Sequence, residues 1–311
     1  MRVDGHVHVW DLAVREQPWT ASLPALRRSF GLADLGPSLD AHGIDAVVLV
    51  QTVCVPEETP ELLSLAATHG EAGTAAHDEG RTVRLLLEGR AGSRPSATGR
   101  VAGVVGWVDL CAADVGARLR SLRAGAGGAA LVGIRHQVQE EDDPRWLCRP
   151  DVRRGLGAVA EAGLVYELLV RPPQLASVIE TVAALPELRF VLDHGAKPDV
   201  SAPVSDEWRR AIRALARHDN LVAKLSGLTS EAGGTDWTVE SLRPFARTLM
   251  EEFGPERLMF GSDWPVCRLG GGYDATIAAT EAWLAEWGPD ERSLVFGGVA
   301  ERVYGLGATR R

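Results

Sequence analysis

The chain has 311 residues, 45% of them hydrophobic and 24% charged, enough to bury a large core as one big α/β domain or two ordinary ones. A formal net charge of −9 argues against nucleic acid or another polyanion as partner, since phosphate contacts draw on clustered Lys and Arg. The charged, histidine-bearing start is unlike a secretory leader and no run approaches the ~18 apolar residues of a membrane span, so a cytoplasmic protein that avoids membranes is predicted.

Short Val/Ile/Leu-rich runs bounded by polar, Gly or Pro residues begin at 3–10 (VDGHVHVW) and 46–53, then recur at 101–110, 131–139, 164–170, 189–198, 221–228 and 258–266. Continuous apolar runs of this length are what parallel strands buried on both faces look like. Helical spacing falls between most of them. Residues 150–163 and 173–185 carry apolar positions at threes and fours, and 205–218 opens on Ser205 as an N-cap followed by Asp206 and Glu207. Residues 238–254 and 275–288 both finish on glycine, Gly254 and Gly288, a residue suited to stopping a helix.

Eight strands alternating with helices predict a single (β/α)8 TIM barrel over 1–311. A doubly wound sheet is disfavoured because no GxGxxG loop follows a strand. From about 70 to 100 the pattern dissolves into Gly, Ala, Arg and Ser, which reads as a flexible insertion outside the barrel, so His69 and His77 are expected to do no chemistry. Cys54, Cys111, Cys148 and Cys267 form no CxxC pair and read as reduced core residues or bystanders.

In such a barrel the acting residues sit at the C-terminal ends of the strands. That rule collects His6 and His8 from the first run, Gln51 from the second, Arg135, His136 and Gln137 from the fourth, Glu167 from the fifth, Asp193 and His194 from the sixth, Lys224 from the seventh and Asp263 from the eighth. The i, i+2 spacing of His6 and His8 sends both imidazoles to one face of a strand. A lone polar residue at a strand end is more often structural. The combination of HxH, a later His and a late Asp is harder to explain that way, because buried charges are costly unless paired or metal-bound. Imidazoles and a carboxylate suit one divalent ion, zinc by donor type, with a position left for water. Asp263 could then act as base toward that water.

The segments "DGHVHVWD", "FVLDHGAKP" and "MFGSDWPV" resemble signatures of the amidohydrolase superfamily, specifically its amidohydrolase-related group that holds sugar lactonases. "GVVGWVDL", "LVGIRHQVQ", "LVRPPQL", "NLVAKLSGL" and "AERVYGL" extend the resemblance nearly end to end. It implies a metal-capable barrel that hydrolyses the ester of a sugar lactone or a related cyclic ester. It further implies His6, His8, His194 and Asp263 as the metal set, with Glu167 as an additional ligand option, and Asp263, His194, Arg135 and His136 as catalytic groups. The small-molecule substrate would be read by Gln51, Gln137 and Lys224 and by the indoles of Trp107 and Trp264.

Where the wider superfamily often has a bridging Lys or carboxylate on strand four and a His on strand five, this chain has Arg135, His136 and Glu167, which points away from two metals. Members of the lactonase group can also work without tightly held metal, so the ion is not secured by HxH alone. Val299 stands where the group commonly has Asn. A metal-dependent decarboxylase of aromatic acids on the same fold and a non-catalytic barrel binding a sugar acid or a protein are the competing readings. A serine or cysteine nucleophile is disfavoured, for no GxSxG occurs and Cys267 has no evident base partner.

Overall fold

The computed structural model describes residues 1–69 and 100–307. The expected insertion at about 70–100, with His77, falls almost wholly outside the described residues. Eight strands form one parallel sheet in sequence order: β1 Val3–Val7, β2 Ala46–Val50, β3 Arg100–Gly106, β4 Leu131–His136, β5 Val165–Leu168, β6 Phe190–Leu192, β7 Leu221–Leu225 and β8 Leu258–Phe260. Each lies inside its apolar run or within one residue of it. The sheet closes just past the strand ends, where Val7 bridges Trp264 and His8 N donates to Trp264 O at 2.7 Å. The result is a (β/α)8 barrel.

Two glycines permit that closure. A Cβ on Gly5 would stand 2.9 Å from Phe260 O, and one on Gly261 would stand 2.7 Å from the Cβ of His6. Any larger residue would hold β1 and β8 apart.

The helices form where their caps predicted. Ser205 Oγ accepts from Glu207 N and Trp208 N at the head of Asp206–Leu215, and Thr238 caps Val239–Phe253, which stops at Gly254 with φ 66°. Gly288 does something else. The helix Tyr273–Trp283 ends earlier, and Gly288, in extended conformation, precedes the next helix, Pro289–Ser293, receiving the Glu291 carboxylate on its N–H at 2.7 Å. Proline at the first position of that helix forces the new start.

The core has two parts. One, between barrel and helices, runs round the whole molecule; the other fills the barrel with Val3, Val48, Val105, Val165, Val191 and Met259. The floor of this inner core is the C-terminal helix Val299–Tyr304, with Val299 itself fully buried. Val299 therefore serves as floor packing. Above the aliphatic layers the interior turns polar.

Candidate metal centre and active-site cavity

Alternation along the strands decides which side chains enter the barrel. In β4 and β5, paired in register, Arg135 and Glu167 stand side by side and both are buried. They meet Asp193, which follows β6, and Lys224 of β7. Arg135 Nη1 donates to Asp193 Oδ2 at 3.0 Å, while Lys224 Nζ reaches Glu167 Oε1 at 2.7 Å and Asp193 Oδ1 at 3.0 Å. Two carboxylates and two cations thus neutralise one another where water cannot, the arrangement that makes buried charge tolerable. Burial and then Asp193 push the Glu167 carboxyl up to about 7, against the pull of Lys224 and Arg135. Burial also raises Asp193, but Lys224, His6 and Arg135 outweigh it and hold that carboxyl well below its usual range.

The imidazoles lie on this charged layer. His6 faces Lys224 Nζ through Nδ1 at 3.0 Å, and its Nε2 lies 3.1 Å from Nε2 of His8. His8 Nδ1 is 2.8 Å from the carbonyl of Val50. Only a protonated nitrogen bonds a carbonyl oxygen, so the lone pair of neutral His8 is on Nε2. His194 Nδ1 is 2.8 Å from Ser226 Oγ. From the loop just after β8, Oδ1 of Asp263 comes within 3.5 Å of His8 Nε2, 3.8 Å of His6 Nε2 and 3.9 Å of His194 Nε2. His194 and Asp263 have φ of 53° and 58°, a left-handed conformation that non-glycine residues keep only under compulsion and that is found at functional sites. The compulsion is visible: Asp263 N donates to His6 O at 2.9 Å, and Gly227 leaves room for the His194 ring where a Cβ would intrude to 2.7 Å.

Burial drives the histidines toward neutrality. It lowers His8, lowers His6 well below its usual value, and lowers His194 to about 4, each against the pull of nearby carboxylates. Burial alone would raise Asp263, yet the facing imidazoles, His194 foremost, hold it well below the ordinary carboxylate range. At neutral pH the site is an ionised carboxylate among neutral imidazoles.

That donor set fits a divalent ion. Zinc ligands at 2.0–2.1 Å in a tetrahedron stand roughly 3.3 Å from one another. The separations of 3.1, 3.5, 3.8 and 3.9 Å among the Nε2 atoms and Asp263 Oδ1 approach that value. His6, His8 and Asp263 make one such group, and His6, Asp193 and His194 make another that shares His6.

Above them opens a cavity of about 390 Å3, its walls including His8, Arg135, His194 and Asp263 together with Trp19 and Gln137. Several expected substrate or catalytic residues do not reach this wall. His136, one residue from Arg135, points to the other side of β4, accepts from Trp107 Nε1 at 3.0 Å, meets Glu141 at 2.7 Å and stacks on Trp146. It and Trp107 occupy each other. Trp264 is buried edge-on against Phe30, and Gln51 is buried beneath Arg135, its amide 3.4 Å from the Arg135 carbonyl. Lys224 and Glu167 are wholly enclosed in the charged layer. Gln137 alone of the five expected substrate readers lines the cavity, donating to Thr52 O at 2.9 Å.

Others line it unannounced. Cys54, taken for a bystander, is in the wall, as are Lys197, Gln139 and Glu140. Trp19, on the long connection after β1, is held by Gln17 through its indole N–H at 2.8 Å and packs edge-on against Trp10. Its position after a strand end was the only available signal. The turn bearing Thr52 and Val53 is pinned by the buried Glu58, which accepts from both backbone N–H groups.

Three imidazoles and a carboxylate gathered at the C-terminal rim of a (β/α)8 barrel define a hydrolase-type site whose donor set suits a divalent ion. The chain belongs to the amidohydrolase family: the family profile, described as Amidohydrolase, matches residues 3–306. It is 35% identical over 308 residues to an L-fucono-1,5-lactonase of Burkholderia ambifaria, covering 97% of this chain and 95% of that protein. It is 34% identical to an L-fucono-1,5-lactonase of Burkholderia multivorans, covering 98% and 96% respectively. Among solved structures, an amidohydrolase of Burkholderia multivorans with bound zinc superposes with a TM-score of 0.83 at 31% identity, over 98% of this chain and 99% of that one. Among the described residues no helix is long and apolar enough to cross a membrane.

Proposed function

We propose that this chain hydrolyses the ester ring of a sugar-acid lactone of the L-fuconolactone type. The observation that carries the reading is the convergence of three imidazole Nε2 atoms within 3.9 Å of one oxygen of Asp263, beneath a cavity large enough for a monosaccharide lactone. His6, His8, His194 and Asp263 would hold one ion, zinc by donor type and by similarity to the zinc-bound relative. A bound ion would supply Lewis-acid polarisation and lower the pKa of water.

The chain's own groups account for the rest. Asp263 takes a proton from the attacking water and returns it to the ring oxygen as the acyl C–O bond breaks, leaving a hydroxy acid. Arg135 stabilises the oxyanion. Its guanidinium is already fixed by Asp193 and by the carbonyl of Gln51, so it pays no reorganisation when charge develops. Gln137, Gln139 and Lys197 read ring hydroxyls, and the face of Trp19 offers an apolar wall for ring carbons. His136 has no part in this scheme. Four unpaired cysteines suit the reducing cytoplasm, where we place the enzyme.

The test is a pH-indicator screen of purified protein on aldonolactones, L-fucono-1,5-lactone first, with and without chelator. Acid release on that lactone, slowed by chelator and restored by zinc, is expected. No acid release on any lactone rejects the reading, and release of carbon dioxide from an aromatic acid would transfer the protein to the decarboxylases.

A further inference from the structure

Of the described residues that line the cavity, two carry a side-chain cation, Arg135 and Lys197, and each already has a carboxylate. Arg135 is held by Asp193 at 3.0 Å. Lys197 Nζ lies 3.1 Å from Glu231 Oε1, with both side chains partly buried. Glu231 ends the short helix Leu228–Glu231 after β7 and stands outside the cavity wall. Its neighbour Ser230 donates to Asp263 Oδ2 at 3.3 Å, so one short helix steadies the carboxylate of the reacting centre and supplies the counter-charge of Lys197. The ammonium is also placed by its own backbone. His194, Gly195, Ala196 and Lys197 have φ of 53°, 56°, 62° and 49°, a left-handed turn closed by Lys197 N on His194 O at 2.9 Å. L-residues adopt this conformation singly and seldom in succession. In a three-residue turn the side chains at i and i+3 lie over one another, which sets Lys197 beside His194 in the wall. Outside the residues of the metal centre, the unbalanced charge of the described wall is then that of the exposed Glu140, and it is negative.

Resting on the lactonase reading, we propose that Glu231 is a specificity-determining residue: by cancelling the charge of Lys197 it makes the cavity take neutral aldonolactones and turn away lactones that carry an ionised group of their own. A lysine has three N–H donors, and one contact to Glu231 leaves the others to donate to sugar hydroxyls. What the pairing removes is the surplus charge. A substrate carboxylate brought to Lys197 would have to displace Glu231 or share the ammonium with it, two like charges on one cation, with Glu140 a third anion in the same wall. A hydroxyl in that place meets none of this repulsion. Glu231 therefore acts on substrate choice through Lys197, without touching the reacting atoms.

L-galactono-1,4-lactone and galactaro-1,4-lactone differ at the far end of the sugar, CH2OH in one and a carboxylate in the other, and kcat/KM of the full chain on the pair tests this. The unmodified protein should favour the neutral lactone by roughly tenfold or more. In Glu231→Gln that preference should shrink by a similar factor, whereas Glu231→Asp, which keeps the charge, should retain most of it. A Glu231 that merely steadied its helix would, when replaced, lower both efficiencies together and leave their ratio alone. Equal or greater efficiency of the unmodified protein on the anionic lactone overturns the proposal, as does a folded Glu231→Gln whose ratio stays where it was. Where neither of the pair is turned over, calorimetric titration with L-galactonate and galactarate, which differ in the same group, decides without turnover. Tighter binding of galactonate, with the discrimination lost in Glu231→Gln, supports the pairing; equal affinity, or binding of neither, overturns it. Absence of acid release on any lactone rejects the lactonase reading separately.

Discussion

Asp263 is held at φ 58° with its backbone N–H on His6 O, which fixes the point of the chain from which its carboxylate faces the imidazoles. Replacing it by Asn keeps shape and removes the base. Asp263→Asn should lower kcat on the lactone by about 10^3-fold or more, since base and ligand are lost together, while the protein still binds the hydroxy-acid product in calorimetry. Loss of product binding in a folded variant would make Asp263 a binding group only. Asp4, two residues before His6, offers a separate readout. Its carboxylate accepts from Ser262 N at 2.8 Å, His6 N at 3.1 Å and Tyr273 OH at 3.0 Å, yet burial pushes it up to about 6 from 3.8. Between those values the folded state holds more protons than the unfolded one. The contribution of Asp4 is therefore fully present below about pH 4 and falls away as pH rises through 6. Urea unfolding from pH 4.5 to 7.5 should show the advantage of the unmodified protein over Asp4→Asn shrinking toward neutrality, by up to about 3 kcal/mol for two pK units. Parallel stability curves would contradict it.

At the scale of the element, stability and site geometry separate. Ser205 caps Asp206–Leu215 on the outer ring, away from the cavity, so Ser205→Ala should lower stability by about 1 kcal/mol and leave kcat and KM alone. Gly261 lies at the seam between β8 and β1. A Cβ there meets the Cβ of His6 at 2.7 Å, so Gly261→Ala should cost about 1–3 kcal/mol and also lower zinc affinity and kcat, because the ring it displaces is a ligand candidate. Melting curves paired with kinetics distinguish the two cases. The strands were legible in the sequence because a parallel strand buried on both faces leaves an uninterrupted apolar run, as VLV at 48–50 does. The convergence of His6, His8, His194 and Asp263 was legible for a related reason: all four follow strand starts at offsets that a barrel must bring to one rim. What failed was the face. Arg135 and His136 are adjacent, and period-two alternation sends one inward and the other out to Trp107 and Trp146. Lys224 and Glu167 pass the alternation test but sit one layer too low to meet a substrate, a depth set by stagger between strands. Trp19 lies on a connection with no period at all.

For the molecule as a whole, the barrel is closed from below by its own C-terminal helix, and that closure reaches the charged layer. Tyr304 enters the floor of the barrel among Val3, Val132 and Val303 and donates its hydroxyl to Glu167 Oε1, the oxygen that also faces Lys224. Burial, together with Glu167, pushes the phenol well above its ordinary value, so it remains a donor throughout the working range. The last helix is in this way tied to the layer on which the histidines rest, across 137 residues of chain. The Tyr304→Phe variant keeps the ring that fills the floor and removes one hydrogen bond from a buried carboxylate. The expected loss is about 1–3 kcal/mol, because a buried carboxyl is left with one partner fewer. Since Tyr304 is separated from the cavity by the full charged layer, KM for the lactone should not move. Thermal unfolding and steady-state kinetics on one preparation decide the matter: a lowered melting temperature with unchanged KM places Tyr304 in the floor alone, whereas a raised KM with unchanged melting would mean that the floor transmits shape to the mouth.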